Sequence, residues 1–100
     1  MPAFTAKGNE LFIEGRKVLA GWESFSGWYW FATEKSEERK LSDGGGSVFD
    51  GVAVDDTIWF GFIQGQVSEW GYFSEAEIRR LGSRAWRIKE CDLPFSGRRR

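Results

Sequence analysis

The sequence predicts an α+β fold: an antiparallel β-sheet of about five to six strands, or a half-open barrel, with one short helix near residues 75–81. Short segments rich in aromatic and β-branched residues recur along the chain and alternate with glycine-containing turns, which is typical of antiparallel strands. Only the stretch after Phe73 carries a full set of helix-start signals. The 100 residues suffice for one modest core, so we expect residues 1–100 to form a single domain.

Strand signals begin after an N-terminal segment of nine residues. Residues 1–9 are predicted to be a loose lead-in, and residues 11–13 and 18–20 to form a β-hairpin with glycine near its turn. Residues 24–27 are predicted to turn. Aromatic residues follow one another in 28–33, which predicts a strand there.

The middle of the chain combines a loop signal with the strongest strand signal. Residues 35–55 are predicted to be a long surface loop, because charged residues are followed by a run of glycines, with weak pairing inside 48–54. Residues 57–63 are apolar at both alternations, which predicts a strand covered on both faces. Residues 69–73 are predicted to be its hairpin partner.

The helix start is marked by several residues at once. Ser74 is the expected N-cap, and Glu77 completes a capping box with it. Phe73 and Ile78 are spaced as a hydrophobic staple, and Gly82 supplies the stop. The pattern therefore predicts a single short helix with one apolar side.

The C-terminal segment is predicted to return as a last strand over residues 86–93, which Pro94 ends. The arginine-rich residues 96–100 are predicted to be a mobile basic tail. The sequence contains no internal repeat.

The residue types in the chain exclude several kinds of chemistry. There is no histidine and a single cysteine, Cys91, so the chain holds no Cys/His zinc site, no Ser–His or Cys–His nucleophile pair and no internal disulfide. We expect a non-enzymatic protein without a cofactor. No apolar run approaches the roughly 20 residues of a membrane span and the N-terminus lacks a secretory pattern, so we expect a cytoplasmic protein that does not bind membranes.

Aromatic residues are unusually abundant, at 17% of the chain. One small core cannot hide so many large rings, and exposed Trp and Tyr dominate many protein interfaces. The residues expected in the core are Trp28, Trp30, Phe31, Trp59, Phe60, Phe62 and Phe73. The residues expected to be exposed and to anchor a protein partner are Trp22, Phe25, Tyr29, Trp70 and Trp86.

Charge is distributed unevenly, because residues 34–78 are rich in acids and residues 79–100 are rich in bases. Such separation favours electrostatic steering of a charged partner, although the two blocks could equally be solvated faces that neutralise each other. The acids expected to steer a protein partner are Glu37, Glu38, Asp55 and Asp56.

One alternative function is nucleic-acid binding by the basic C-terminal segment, where arginines are mixed with aromatic residues. This is the composition of platforms for single-stranded nucleic acid, although the acidic block would repel a phosphate backbone on the same face. The residues it would use are Arg79, Arg80, Arg84, Arg87, Arg98, Arg99 and Arg100.

A second alternative is a carboxylate-dependent metal enzyme, because carboxylates can hold Mg²⁺ or Ca²⁺ or act as an acid/base pair. No spacing among the acids matches a known metal loop. The carboxylates that could converge are Glu34, Asp50, Asp55, Asp56 and Glu69.

Four segments between Trp28 and Phe95 occur in an order and spacing that resemble a known family. They are a Trp-rich strand ending in Ala-Thr-Glu, a strand containing Trp-Phe-Gly-Phe, a Gly-Tyr-Phe-Ser helix start, and a last strand with an acid before an apolar pair, in residues 28–34, 59–65, 69–78 and 88–95. The chain resembles small uncharacterised bacterial and plasmid-borne proteins, classed as a domain of unknown function, found near antirestriction and conjugation genes.

Two features depart from the family pattern. The segment 35–55 is longer than in the family, and Glu90-Cys91-Asp92 stands where an Arg-Asp pair is usual. The resemblance implies a phage- or plasmid-encoded accessory factor, such as an inhibitor of a host defence nuclease system. From its charge, an acidic face on such a protein could compete with nucleic acid for a host nucleic-acid-handling complex.

Overall fold

The structure is a computed structural model that describes residues 3–88. These residues form ten strands in three antiparallel sheets and one α-helix, α1, at Glu75–Arg79. The strands are β1 Phe4–Lys7, β2 Glu10–Ile13, β3 Arg16–Lys17, β4 Ala20–Ser24, β5 Tyr29–Arg39, β6 Ser47–Phe49, β7 Val52–Val54, β8 Asp56–Gln64, β9 Ser68–Ser74 and β10 Ala85–Ile88. No helix within residues 3–88 is both long and apolar enough to cross a membrane.

The central sheet has five strands in the order β10-β4-β5-β8-β9. A small sheet, β1-β2-β3, and a two-stranded hairpin, β6-β7, complete the described part of the chain. The α+β prediction is therefore confirmed, with more strands than the five to six expected and no closure into a barrel. The predicted pairing of residues 57–63 with 69–73 is also confirmed, as β8 with β9.

Two apolar clusters fill the two faces of the central sheet. On the face covered by the small sheet, here called the hairpin face, Leu11 and Ile13 pack with Phe31 and Phe62. On the face covered by α1, here called the helix face, Ile78 packs in a cluster with residues of the central strands. The other members of that cluster are Ala20, Trp22, Ala32 and Phe73.

The predicted loose lead-in at residues 1–9 is wrong where the structure describes it, because Phe4–Lys7 forms β1 and pairs with β2. The ring of Phe4 lies 6.0 Å from each of the Phe31 and Phe62 rings, edge to face. This aromatic contact anchors a segment that was predicted to be loose.

The predicted hairpin of residues 11–13 with 18–20 is only partly correct. The N–H of Val18 donates to the carbonyl of Leu11 over 2.8 Å, but the chain then crosses to the central sheet, where Ala20 begins β4. β2 instead pairs with β1 and with the two-residue strand β3.

The predicted long loop at residues 35–55 is also wrong, although the pairing expected inside residues 48–54 occurs as the β6-β7 hairpin. β5 continues to Arg39, which pairs with Asp56 at the start of β8, and a 3-10 turn and the β6-β7 hairpin follow. The main chain of β8 pairs with the charged half of β5 along its whole length. The register of this pairing shifts after Ala32 and again after Lys35, as at a β-bulge. The composition of this segment did not indicate that β5 continues, because main-chain groups make the pairing between β5 and β8.

Helix α1 is shorter than the predicted 75–81, with Arg80 as its C-cap. The predicted N-cap is confirmed, because the hydroxyl of Ser74 accepts a hydrogen bond from the N–H of Glu77 over 3.0 Å. The last strand, predicted over 86–93, is described from Ala85 to Ile88. The remainder of that strand and the tail at 96–100 lie outside the described residues.

Candidate functional site

An uncovered row of aromatic rings lies on the hairpin face, beside the edge strand β9. Phe60 stacks on Trp70 at 6.0 Å and 16°, and it meets Tyr72 edge to face at 5.1 Å. Trp70 also packs against the buried cluster, whereas Tyr72 is 68% exposed. We call Phe60, Trp70 and Tyr72 the aromatic strip.

The cross-strand register sets an acid at one end of this strip. Tyr72 lies opposite Phe60, and Phe60 lies opposite Glu34, so the three side chains share one row on the hairpin face. Glu34 is exposed and has no ion pair within residues 3–88. At the other end, the guanidinium of Arg16 lies 5.5 Å from the Trp70 ring centre, a cation–π contact.

The predicted steering acids Glu37 and Glu38 are exposed but are paired within the chain. Glu37 pairs with Arg39 at 3.1 Å, and Glu38 pairs with Lys35 at 3.0 Å and with Lys40 at 3.5 Å. The hydrogen bond from Lys35, with the charges of Lys35 and Lys40, lowers the pKa of Glu38 below its usual value. The charge that these two acids present to a partner is therefore largely offset by their neighbours.

Asp55 is exposed just before the start of β8, and its carboxylate accepts a hydrogen bond within the protein. Its carboxylate accepts a hydrogen bond from the N–H of Leu41 over 2.8 Å, which closes the segment that holds the 3-10 turn. A partner could reach this carboxylate. It is separated from the rings of the aromatic strip, because Asp55 lies on the far side of Ile58 along the chain.

Asp56 is buried and joins three elements of the fold. Its carboxylate accepts four hydrogen bonds of 2.5–2.8 Å, from the hydroxyls of Ser47 and Ser74 and from the N–H groups of Thr57 and Ala76. Burial raises the pKa of Asp56, but these hydrogen bonds outweigh it and hold the pKa below its usual value. The prediction that Asp56 belongs to an exposed acidic surface is wrong, because it ties β6 and the start of α1 to β8.

A second aromatic feature lies on the helix face, where the β4–β5 turn meets the end of the helical segment. It is a cleft of about 290 Å³, which we call the turn cleft, and it is lined by Ser24, Phe25, Ser26, Trp28, Trp30, Leu81 and Arg84. Phe25 is 72% exposed there. The rings of Trp28 and Trp30 stack at 6.0 Å and 27°.

The aromatic residues predicted to be exposed anchors have different environments. Phe25 is exposed as predicted and so is Trp86, at 45% on the edge strand β10, while Tyr29 and Trp70 are half-buried. Trp22 is only 3% exposed, so the prediction is wrong for this residue. It lies in β4, an interior strand covered by α1, and its ring packs against Trp59 and Phe73.

The predicted core residues were only partly assigned correctly. Phe31, Phe62 and Phe73 are buried, as expected. The half-buried ones are Trp28, Trp30, Trp59 and Phe60. Tyr72 was missed as a surface residue, although its neighbour Phe73 is the buried staple residue and strand alternation places Tyr72 on the other face.

The arginines of the nucleic-acid alternative are mostly engaged inside the protein. Arg79 pairs with Glu75 along α1, and Arg80 pairs with Asp50 at 2.5 Å. The guanidinium of Arg87 lies 5.3 Å from the Trp22 ring centre. The Nε of Arg84 donates to the carbonyl of Leu81 over 3.1 Å, while Arg98, Arg99 and Arg100 lie outside the described residues.

The carboxylates of the metal-enzyme alternative do not gather in the part of the chain that the structure describes. No group of three or more potential metal-ligating residues occurs there. Asp50 pairs with Arg80, and Asp56 is enclosed by its own hydrogen bonds. Glu34 and Glu69 lie on different strands, opposite Phe60 and Ile63.

Comparison of the chain with protein-family profiles, with curated proteins and with solved structures found no significant match. The resemblance to the plasmid-borne family therefore stays a prediction.

Proposed function

We propose that this protein is a non-enzymatic accessory factor, encoded by a phage or plasmid, that binds a basic surface of a protein partner through its aromatic strip. The exposure of Tyr72, whose ring meets Phe60 where Phe60 stacks on Trp70, is the observation that carries this proposal. The acidic character of residues 34–78 favours a host nucleic-acid-handling complex as the partner. The family resemblance favours inhibition of a host defence nuclease system as the outcome.

The strip has the properties of an interface centre. Tyr and Trp bury large rigid area at little entropic cost, and they are over-represented among the residues that carry binding energy. Trp70 is held by the core beneath it, so only Tyr72 has to be ordered when a partner binds. This pre-organisation lowers the cost of association.

The charge beside the strip favours a basic partner. Glu34 shares the Tyr72–Phe60 row and is not neutralised by a base within residues 3–88. The faces of Tyr and Trp rings attract guanidinium and ammonium groups, and Trp70 already accepts the guanidinium of Arg16. An arginine or lysine of a partner would thus find both a ring face and a carboxylate at this surface.

The experiment is capture of host proteins on the immobilised wild-type protein, followed by affinity measurements with the purified captured partner. Tyr72→Ser is expected to weaken binding at least tenfold, and Glu34→Gln to weaken it less and to flatten its dependence on salt. Val48→Ser is the matched control, because Val48 is also 68% exposed but lies on β6, away from the strip. An affinity unchanged by Tyr72→Ser would refute the proposal.

Nucleic-acid binding is separated from this proposal by a direct assay. Arg79 and Arg80 are neutralised by carboxylates, so within residues 3–88 the phosphate contacts of this alternative would come from Arg84 and Arg87. We expect no salt-dependent binding of labelled single- or double-stranded DNA or RNA. Binding that falls steeply with salt and is lost in the Arg84→Ala/Arg87→Ala double variant would favour the nucleic-acid role instead.

A further inference from the structure

We propose that the turn cleft is a second, independent binding site, and that it takes an internal peptide segment in which a large apolar side chain stands next to an aspartate or glutamate. The cleft lies on the helix face of the central sheet, and the aromatic strip lies on the hairpin face. The two sites can therefore be occupied at the same time and tested separately.

Three aromatic rings form the surface that would bind the apolar side chain of the peptide. Phe25 is largely exposed, and the stacked rings of Trp28 and Trp30 form the wall beside it. A volume of about 290 Å³ is at the lower limit of ligand pockets, which suits one large side chain rather than an extended ligand. Burying such a side chain removes apolar surface from water, which favours binding.

Hydrogen-bond donors in the cleft would bind the carboxylate of the peptide. Among residues 3–88, Arg84 is the only charged residue that lines the cleft, and no acid of that range lines it. Its Nε is occupied by the carbonyl of Leu81, which leaves the terminal nitrogens of the guanidinium for a partner. A guanidinium held in this way binds a carboxylate through two parallel hydrogen bonds.

Trp28 and Trp30, whose side chains line the cleft, each carry an indole N–H donor. Neither donates to a protein atom within residues 3–88, and no buried side-chain nitrogen or oxygen there lacks a partner, so both groups reach solvent. The lining thus combines apolar rings with one cation and several donors, which is complementary to a carboxylate beside an apolar group.

The cleft is built in advance of binding. The Trp28 ring lies against Gly65 so closely that a Cβ on Gly65 would be 2.5 Å from it. The N–H of Phe25 donates to the carbonyl of Arg84 over 2.9 Å, which joins the two walls. A site whose walls are already fixed has a lower ordering cost on binding.

The same backbone bonds favour an internal segment over a free chain end. Capture of a C-terminal carboxylate uses a nest of unpaired main-chain N–H groups. In this turn the N–H groups of Ser24, Phe25, Gly27 and Trp28 all donate within the protein. A single guanidinium is also too little positive charge to hold a phosphodiester chain, which is bound by several Lys or Arg contacts.

The test uses synthetic ten-residue peptides, blocked at both ends, with Leu-Glu, Leu-Gln or Ser-Glu at the centre of a Gly/Ser background. Each is titrated into ¹⁵N-labelled full-length protein, and the six tryptophan indole N–H signals, assigned by single substitutions, report where it binds. We expect the Leu-Glu peptide to shift the signals of Trp28 and Trp30. The other two peptides are expected to bind about tenfold more weakly.

Two variants test which residue is responsible for the preference for the Leu-Glu peptide over the Leu-Gln peptide. Arg84→Gln is expected to remove the preference for Leu-Glu over Leu-Gln while the dispersion of the indole signals is retained, since Arg84 is exposed. Arg87→Gln is the matched control and should preserve the preference. Tyr72→Ser should also preserve it, so a failure of the aromatic-strip proposal leaves this result unaffected.

Three outcomes would overturn the inference. Equal affinity for Leu-Glu and Leu-Gln peptides would remove the role of the carboxylate. Shifts confined to Trp70 would place the peptide on the other face. Tighter binding of a peptide ending in a free Leu carboxylate, or of a ten-nucleotide oligothymidylate, would assign the cleft to another ligand.

Discussion

Gly61 in β8 lies against the main-chain carbonyl group of Phe31 in β5. A Cβ atom on Gly61 would be 2.8 Å from the carbonyl carbon of Phe31 and 2.9 Å from the Cα of Ala32, and nearer still to the Phe31 carbonyl oxygen. The close approach occurs beside the register shift that follows Ala32. The central strand pair of the sheet, which supports both binding surfaces, therefore depends on the absence of a side chain at this position.

Gly61→Ala is expected to destabilise the protein by about 3 kcal/mol, because the new methyl group meets backbone that cannot move away without disrupting the sheet. Gly71→Ala is the matched control. Gly71 lies directly opposite Gly61, and a Cβ there would only touch the Cδ1 of Ile63 at 3.9 Å. Urea denaturation of both variants tests the contrast, and equal losses would contradict it.

Asp56→Asn is expected to lower the free energy of unfolding by about 2–3 kcal/mol. The amide carbonyl can still accept from the N–H groups of Thr57 and Ala76. Its NH2 group then replaces the charged oxygen that accepts from the hydroxyls of Ser47 and Ser74, so those two hydrogen bonds to a charged acceptor are lost. Asp55→Asn, at the exposed neighbouring position, is expected to cost less than about 1 kcal/mol. Equilibrium denaturation at neutral pH compares the two, and a larger loss for Asp55→Asn would be inconsistent with the structure.

Acid should weaken the fold through the same carboxylate. The pKa of Asp56 is lower in the folded protein than in the unfolded chain, so its stabilising contribution is complete above the unfolded pKa. That contribution is lost as the pH falls from about 4 through the folded pKa. Denaturation curves between about pH 2.5 and 6 should show a steeper acid loss for the wild type than for Asp56→Asn, and parallel profiles would contradict this.

Gly65→Ala is expected to displace the Trp28 ring with a loss of about 1–2 kcal/mol, since a rigid ring stacked on Trp30 has to move to make room for the methyl group. The indole N–H signals of Trp28 and Trp30 should shift strongly, because the two rings are stacked. Those of Trp22 and Trp59 should hold their positions. Unchanged Trp28 signals in this variant would mean that the ring does not rest on Gly65.

Trp22→Ala is expected to destabilise the protein by about 4 kcal/mol, because it removes a large ring from the cluster under α1. Phe25→Ala, only three residues away, is expected to change stability by less than about 0.5 kcal/mol because Phe25 is 72% exposed. Thermal or urea unfolding of the two variants measures the difference between a core aromatic and a surface aromatic.

Local features of the fold could be predicted from the sequence because their partners lie within one turn or one hairpin. The N-cap of α1 depends on Ser74 and Glu77, three residues apart, and the β8–β9 pair follows from two adjacent strand segments. For the candidate sites, exposure of Phe25 and Trp86 followed from their predicted turn and edge positions. The surplus of aromatic residues also indicated correctly that some rings lie at the surface.

The other features of the fold depend on contacts between residues that are far apart in the sequence. Alternation separates the two faces of a strand but does not say which strands are interior, so it could not show that Trp22 lies in the core of a five-stranded sheet. The hydrogen bonds of Asp56 to Ser74 and Ala76 span 18 and 20 residues, a separation at which sequence spacing carries no geometric information. By itself the sequence determined the strand-rich fold, the single capped helix and the excess of rings. Only the tertiary structure decided which rings and charges share a surface, because the register of β5, β8 and β9 sets Glu34, Phe60 and Tyr72 side by side.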